Sequence, residues 1–556
     1  MIQRDAMDEV RNDLFQVVDH YEENPEIFKS RDQIECVRDH FTIKTIFLGH
    51  FNSGKSSLVN ALIERNNFLE EAQVPQTSIC AELKYGQEEM IRACLIDGTE
   101  EAYVQNKEYT PDAYQGIYYT MDVPALAALD GYTVVDTPGF DSYIDSHEQA
   151  LAHYMMQGSI YLFVIDVEKG CIDYTTMTKI KAVYRRCPRI AILFNKCDKI
   201  SNENRAQIVE HSKVVLSGFG IVCPVLAVSK YDTDISQKLV ALIQSFSAQE
   251  IFEQQMKEII AGEAKRILMI LTTTRDRVFL DTFDYNLDIK MLQRKKDSLM
   301  ETLESKRKAL KRKNPEKTKE ILEKVRVAME DISNQVANVI LMGNHQGVQS
   351  IISEAIRGTL STAMVDLVDR FYVDVTGSLD FTGIDSGCNN DVNWMDTLES
   401  TGEKIKDLYE MGSFVSPVKE LDPLKRGAYK AITGISAIFT SFNPLLEIAV
   451  IFLPEILQLI RGIFGESDVT RARNRYEKAI IPQVISSISK PVEDAVYSAT
   501  DAVLDQVETW VGENLDALDK AITTAMSKKE TSETEFRAYV NMLEKDIATL
   551  QNLMVN

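Results

Sequence analysis

The sequence predicts an α/β domain, a mixed sheet with flanking helices, followed by a long all-α region. Three observations support this fold class. Up to about residue 245, short apolar runs typical of buried strands alternate with helix-like stretches. From 251 to about 380 the pattern is helical and contains a single proline, Pro315. A G-x-x-x-x-G-K-S motif beginning at Gly49 lies between a strand-like run and a helix-like run, the context that distinguishes a phosphate-binding loop from a chance match.

The loop after the first strand has the residue types that a polyphosphate requires. Its glycines let backbone N–H groups turn toward a phosphate, and the following helix adds the dipole of its N-terminus. Lys55 is expected to reach the β- and γ-phosphates, and the Ser56 hydroxyl to ligate Mg²⁺. We expect phosphate contacts from Gly49, Asn52, Ser53, Gly54, Lys55, Ser56 and Ser57.

A second strand-like run carries the expected metal-side carboxylate. Tyr132 to Val135 leads into Asp136-Thr137-Pro138-Gly139. A carboxylate at this point can hold the hydration shell of Mg²⁺, and the Gly139 N–H can read the γ-phosphate. The predicted metal-side residues are therefore Ser56, Asp136 and the switch threonine Thr77, which lies in Val74-Pro75-Gln76-Thr77-Ser78-Ile79 with Ser78 as its alternative.

A third strand-like run, from Arg189 to Phe194, indicates the base. It ends in Asn195-Lys196-Cys197-Asp198. The Asp198 carboxylate can accept from guanine N1 and N2, donors that adenine does not supply, and the stem of Lys196 can lie over the base. Ser229 and Lys230 follow the next strand, where a short loop would close over the base. The nucleotide is predicted to be GTP or GDP with Mg²⁺, rather than ATP.

These motifs resemble those of the dynamin superfamily, and of its bacterial dynamin-like branch, including the LeoA type. The stretch from Phe51 to Leu62 is similar to that branch's phosphate loop, Pro75 to Ser78 to its switch I, and Asp136 to Ser142 to its switch II. The resemblance implies a Ras-like GTPase domain and a helical neck and trunk that ends in an apolar tip. It also implies G-domain dimerisation, helical self-assembly, a lipid membrane as partner and, as a further option, a second dynamin-like chain.

Two positions depart from related GTPases. Phe51 stands where eukaryotic dynamins carry a glutamine beside the attacking water, and Phe140 where Ras-like proteins place their catalytic glutamine. An apolar side chain cannot orient water. We therefore expect slow basal hydrolysis that rises with assembly. The candidate catalytic residues are Lys55, Ser56, Thr77 and Asn52.

The chain is too long for one domain, and its patterns predict five segments. They are neck helices (1–40), the GTPase domain (41–245), a first neck and trunk part (246–426), an apolar tip (427–465) and a C-terminal trunk and neck part (466–556). Apolar stripes at both chain ends each need a partner. We expect the stripes of Met7, Val10, Leu14, Val17 and Tyr21 and of Phe536, Val540, Leu543, Ile547, Leu550 and Met554 to pack together; a separate coiled-coil seam is the alternative.

A basic run from Arg294 to Lys313 ends at Asn314-Pro315. It predicts either a lipid- or partner-facing patch or, as charge runs usually are, a solvated helix face and hairpin end. Residues 383 to 393 have the turn-forming composition of a loop.

The stretch from Ala431 to Pro454 is the second informative feature. It is mostly apolar, but Asn443-Pro444, Glu447 and Pro454 interrupt it, so a membrane-spanning helix is not expected. Two short interfacial helices or a buried core hairpin remain as interpretations. The candidate membrane-tip residues are Ile438, Phe439, Phe442, Leu445, Leu446, Ile451 and Phe452.

Composition excludes other classes of protein. The formal net charge of −23 argues against nucleic acid as the main partner, because a phosphate backbone attracts the opposite sign. Eight cysteines are scattered without metal-ligand or disulfide spacing, which favours a reducing cytoplasmic setting. The first residues lack the apolar core of a signal peptide. A cytoplasmic, peripherally membrane-associated GTPase is the prediction; a GTP-regulated scaffold with negligible hydrolysis is its alternative.

Overall fold

A mixed nine-stranded sheet organises the first part of the chain. The structure, a computed structural model, describes residues 3–39, 41–50, 52–69, 80–95, 99–104, 107, 109, 114–139, 158–169, 172, 174–278, 285–343, 345–382, 384, 394–398 and 468–555. The strands β1 to β9 are Ile43–Gly49, Cys80–Tyr85, Met90–Leu95, Glu100–Ala102, Tyr114–Met121, Tyr132–Asp136, Gly158–Asp166, Ile190–Asn195 and Val225–Ala227. Their order is β4-β3-β5-β2-β6-β1-β7-β8-β9.

Strands β6, β1, β7, β8 and β9 are parallel neighbours. Most are buried on both faces, as in Ile43–Gly49 and Ile190–Asn195, which explains their nearly continuous apolar sequences. The strand-like runs before Asp136 and Asn195 are confirmed as β6 and β8. Because the carboxyl ends of parallel strands lie at one edge of a sheet, the loops that carry the predicted motifs meet there.

Helices flank this sheet and form the remainder of the described chain. The helices α1 to α14 are Asp8–Asp19, Pro25–Asp39, Lys55–Leu62, Pro124–Ala128, Tyr174–Arg186, Asn202–Gly218, Ile235–Gln244, Ala248–Val278, Tyr285–Asp331, Ser333–Leu341, His345–Thr376, Val469–Arg475, Ile481–Thr531 and Glu533–Val555. A π-helical turn, Tyr476–Ile480, joins α12 to α13. The predicted α/β domain followed by a long helical region is therefore confirmed.

The two ends of the chain pack together. Helix α1 contacts α14, and both contact α8. Tyr21 donates a hydrogen bond to Asp546 at 3.0 Å, and a His20 ring nitrogen lies 3.0 Å from the same carboxylate. Burial raises the pKa of Asp546, while the His20 and Tyr21 hydrogen bonds lower it. The prediction that the terminal apolar stripes share one bundle is confirmed, so partners for both lie within a single chain.

The prediction that a hairpin ends near Pro315 is wrong. Helix α9 continues through this proline to Asp331. Proline removes one backbone donor and usually kinks a helix, but Asn314, the preceding residue, is fully buried and bonds across to Thr500 of α13 at 3.0 Å. Packing against a long partner helix therefore outweighs the local signal for a break.

The basic run lies on α9 and is partly neutralised by acidic residues of neighbouring helices. Arg307 contacts Asp501, Asp505 and Glu508 of α13 at 2.7 to 3.0 Å. Further ion pairs join the basic run to α11 and α13, namely Lys306–Asp374, Lys311–Asp501 and Lys296–Asp516. These contacts compensate part of the positive charge, so this run is not an uncompensated lipid-facing patch.

An aromatic cluster holds the described segment 394–398 against the long helices. Trp394 is fully buried, and its ring lies 5.9 Å from those of Phe381 and Trp510. Its indole N–H donates to the Thr273 hydroxyl at 3.1 Å. One side chain therefore connects α8, α13 and the turn after α11.

The predicted membrane-tip residues lie outside the described residues, as does most of the predicted loop 383–393. The two interpretations of the apolar stretch therefore stay open. Among the residues that the structure describes, no helix is long and apolar enough to cross a bilayer.

Candidate nucleotide-binding site

The loop between β1 and α3 has the backbone shape that glycine permits. Gly54 has a φ of +91°, in the left-handed region, and a Cβ there would lie 2.3 Å from the Asn195 side-chain nitrogen. At Gly49, a Cβ would lie 2.3 Å from the Val164 carbonyl oxygen. Asn52 also has a positive φ of 61°, a conformation that asparagine tolerates better than most residues. The glycine spacing of the motif thus has a steric cause.

The Lys55 side chain folds back over this loop. It is buried, and its ammonium donates to the carbonyl oxygens of Gly49 at 3.0 Å and His50 at 3.1 Å. The ammonium is therefore held at the mouth of the loop, at the start of α3. Ser53, also buried, and Ser57 complete the predicted phosphate set at this helix N-terminus.

Ser56 and Asp136 bring two motifs into contact. The Ser56 hydroxyl donates to one Asp136 carboxylate oxygen at 2.6 Å. The other oxygen, Oδ1, is buried without a hydrogen-bond partner among the described residues. Burial raises the pKa of Asp136 to about 6, and the Ser56 hydrogen bond and the Lys55 charge act against that rise. A buried carboxylate with an unsatisfied oxygen beside a hydroxyl suits a hydrated divalent cation.

We expect Asp136→Asn to stabilise the nucleotide-free, Mg²⁺-free protein at pH 7.5. The pKa of Asp136 in the folded protein lies above the ordinary 3.8. Protonation of this carboxyl therefore stabilises the fold fully below pH 3.8, and the stabilisation is lost as the pH rises through about 6. The ionised wild type therefore carries a penalty on the order of 2–3 kcal/mol. Calorimetry should show a higher free energy of unfolding for Asp136→Asn than for the wild type, and this difference should shrink as the pH falls from 6 to 4.

Asp166→Asn provides the matched control for this experiment. Asp166 ends β7, which is separated from β6 by β1, but it pairs with Lys196 at 2.7 Å, so removal of its charge should not stabilise the protein. A gain at Asp136 that persists unchanged at pH 4, or an equal gain at Asp166, would contradict the burial argument.

Asn195 joins the guanine motif to the phosphate loop. Its side-chain nitrogen donates to the carbonyl oxygens of Ser53 at 3.0 Å and Gly54 at 3.3 Å. Its predicted role in guanine binding stays a prediction; the structure places its side-chain nitrogen against the loop backbone. The contact fixes the distance between the base-side and phosphate-side parts of the site.

Lys196 and Asp198 lie on the turn after β8. Lys196 has a φ of 64° and pairs with Asp166, a partner that the sequence reasoning did not identify. Asp198 is exposed, and its Oδ1 accepts from the buried Ser229 hydroxyl at 2.6 Å. Lys230 follows on the same loop, 5.5 Å from the Tyr231 ring. The structure thus brings Asp198 and Ser229 together at the carboxyl ends of β8 and β9.

The structure describes only some of the remaining predicted residues. Gly139 is buried just beyond β6. Thr77 and its alternative Ser78 lie outside the described residues, as do Phe51 and Phe140. Thr137, which was not singled out, donates to the Phe47 carbonyl at 2.6 Å and so ties the start of the Asp136 loop to β1.

A family model supports the site that this geometry outlines. The model of the elongation factor Tu GTP-binding domain matches residues 40–305. That span contains the sheet, the phosphate loop, Asp136 and the guanine motif. The first part of this chain has the P-loop GTPase fold. The predicted GTP or GDP site lies within it.

A curated relative that is similar to part of this chain is a dynamin-like protein. It is Dynamin-like protein A of Bacillus subtilis, 25% identical over 166 residues, which are 28% of this chain and 13% of that protein. The match thus spans only a small part of the relative's length. The resemblance to dynamin-like proteins that the motifs predicted is confirmed at this level.

Two solved structures that align over the whole length of this chain are bacterial dynamins. A chain of an oligomerised bacterial dynamin pair, described as sensing and tethering membranes, aligns at 12% identity over 100% of this chain and 95% of its own, with a TM-score of 0.34. The LeoA dynamin GTPase from ETEC aligns at 11% identity over 100% and 99%, with a TM-score of 0.30. These scores are too low to transfer the neighbours' assembly to this chain.

Proposed function

We propose that this chain is a dynamin-like large GTPase that binds GTP with Mg²⁺ and hydrolyses it to GDP and phosphate. The observation that carries the proposal is the contact of three motif loops at one sheet edge. Asn195 bonds to the phosphate loop, and Ser56 of the following helix bonds to Asp136. A guanine nucleotide spanning this edge would meet Lys55 at its phosphates and Asp198 at its base.

Mg²⁺ fits the residues present. Ser56 would bind the cation directly, and the unsatisfied Asp136 oxygen would accept from its water shell; Thr77 is the proposed third contributor. The cation would neutralise charge on the phosphates. Lys55 would hold the β- and γ-phosphates in position, and the Gly139 N–H would contact the γ-phosphate.

We propose slow basal hydrolysis because two motif positions lack a water-orienting side chain. Phe51 and Phe140 replace the residues that would orient water, and a water held only by backbone groups or Asn52 is poorly positioned. We propose that a neighbouring GTPase domain completes the site, and that nucleotide-dependent assembly of the helical region acts at a membrane through the apolar stretch. The chain would then be cytoplasmic and peripherally membrane-associated.

Turnover per molecule is expected to rise at least severalfold as the protein concentration increases from nanomolar to micromolar. Dimerisation supplies the missing groups, and mass action populates the dimer only at higher concentration. Phosphate release measured over this range checks the prediction. A fast rate that does not depend on concentration would show that one chain holds a complete catalytic site.

The alternative is a GTP-regulated scaffold that acts through protein partners, which Phe51 and Phe140 favour. Anionic liposomes distinguish the two functions. A remodelling GTPase should bind them and turn over faster, whereas a scaffold should do neither. Replacing Ile438 and Phe439 by aspartate is the matched variant, because charge in an interfacial apolar segment opposes membrane insertion. Equal lipid binding by this folded variant would rule out the tip.

A further inference from the structure

Arg205 of α6 lies outside the nucleotide motifs but reaches the loops that carry two of them. Its Nε donates to the Cys197 carbonyl oxygen at 2.8 Å, within the guanine motif. Its Nη1 lies 3.3 Å from Oδ1 of Asp232, just beyond β9. One planar guanidinium therefore bridges the loops that follow β8 and β9.

From Asp232 the contacts continue to the carboxylate proposed to read the base. The second Asp232 oxygen accepts from the Ser229 backbone N–H at 3.0 Å, and the Asp232 N–H donates to the Ser229 carbonyl at 3.0 Å. The Ser229 hydroxyl then donates to Asp198 Oδ1 at 2.6 Å. A series of hydrogen bonds that passes through the covalent frame of Ser229 thus connects Arg205 to Asp198.

Burial makes this series more rigid than an ordinary surface ion pair. The side chains of Arg205 and Asp232 are only 24% and 16% exposed, and Ser229 and Cys197 are fully buried. Exposed pairs contribute little because solvent screens them. Here Arg205, Asp232 and Ser229 each have contacts on two sides, so the exposed Asp198 carboxylate is bonded at Oδ1 to a hydroxyl whose own residue is fixed.

We propose that Arg205 is a positioning residue for base selection: through Asp232 and Ser229 it holds the Asp198 carboxylate in the orientation that accepts both guanine N1–H and N2–H. The inference rests on the proposed guanine site and adds a residue to it. Guanine presents both donors to Asp198, whereas hypoxanthine presents only N1–H. The orientation of the Asp198 carboxylate therefore matters most for its contact with N2–H, which distinguishes guanine from hypoxanthine.

The test compares how unlabelled GDP and IDP displace a fluorescent GDP derivative from the full chain. We expect the wild type to prefer GDP over IDP by about 10- to 100-fold, the effect of one charge-assisted hydrogen bond. In Arg205→Met this ratio should fall by about fivefold or more. Arg205→Lys should restore little, because a lysine ammonium lacks the fork that binds both loops.

Lys213→Met is the matched control, because Lys213 lies on the same helix in an exposed pair with Glu210. Its GDP-to-IDP ratio should equal that of the wild type. If Arg205→Met weakens both nucleotides equally and leaves the ratio unchanged, Arg205 is only structural and the inference fails. Should that variant not fold, Asp232→Ala cuts the same series and is decided by the same ratio. A wild type that binds neither nucleotide overturns the proposed guanine site itself.

Discussion

Replacing Lys55 by methionine is expected to lower the affinity for GTP by about 100-fold or more. The ammonium is the one charged donor that the phosphate loop holds in place, and loss of one partner from a buried charged contact costs about 2–5 kcal/mol. Methionine keeps the length of the side chain and removes its charge. Without nucleotide, the variant loses the bonds to the Gly49 and His50 carbonyls and the favourable charge near Asp136, and we expect it to fold.

Titration of a fluorescent GTP analogue measures the effect, and ligand-dependent thermal stabilisation, which follows from binding to the folded state, should vanish with it. Lys238→Met is the control, because Lys238 lies in the same domain in an exposed pair with Asp234. It should bind GTP as the wild type does. Wild-type affinity in Lys55→Met would mean that the phosphates do not lie on this loop.

The sequence predicted the sheet edge of this site well, for a physical reason. A buried parallel strand appears in the sequence as a short apolar run. The polar residues at its carboxyl end lie at the edge of the sheet. Asp136 at the end of β6 and Asn195 at the end of β8 were located in this way. Gly54 was located because its positive φ excludes most other residues.

What connects those loops could not be read from the sequence. Asn195 bonds to the loop at Gly54, 141 residues away in the chain, and Arg205 reaches Asp232 across 27 residues. Such contacts depend on the order of the strands, which local patterns do not specify. The raised pKa of Asp136 likewise follows from burial that only the assembled fold creates.

In the helical region, packing between distant segments outweighs the signals of the local sequence. Asn314-Pro315 has the composition of a break, yet α9 continues because Asn314 is buried against Thr500. The nearby basic run was interpreted without its acidic partners, since Asp501 and Asp505 lie almost 200 residues further along. Propensity is a weak prior wherever a long helix buries one face along another.

Replacing Trp394 by alanine is expected to destabilise the helical region by about 3–5 kcal/mol, the usual cost of a cavity left by a large aromatic residue. Trp394 is the largest fully buried side chain among the described residues, and it packs against Phe381 and Trp510 while its N–H bonds to Thr273. Trp394→Phe should cost less, because a smaller cavity remains and only one hydrogen bond is lost.

Tryptophan fluorescence reports on this cluster specifically, because the chain has 2 tryptophans and their rings lie 5.9 Å apart. In Trp394→Ala, Trp510 remains as the reporter. The urea midpoint of the Trp394→Ala variant should fall by about 1 M or more, as the usual dependence of stability on urea implies. Val327→Ala, at an exposed position of α9, should barely move the midpoint. Equal midpoints for the two variants would mean that Trp394 does not anchor the turn after α11 to α8 and α13, and that the segment leading toward the apolar stretch is held by other contacts.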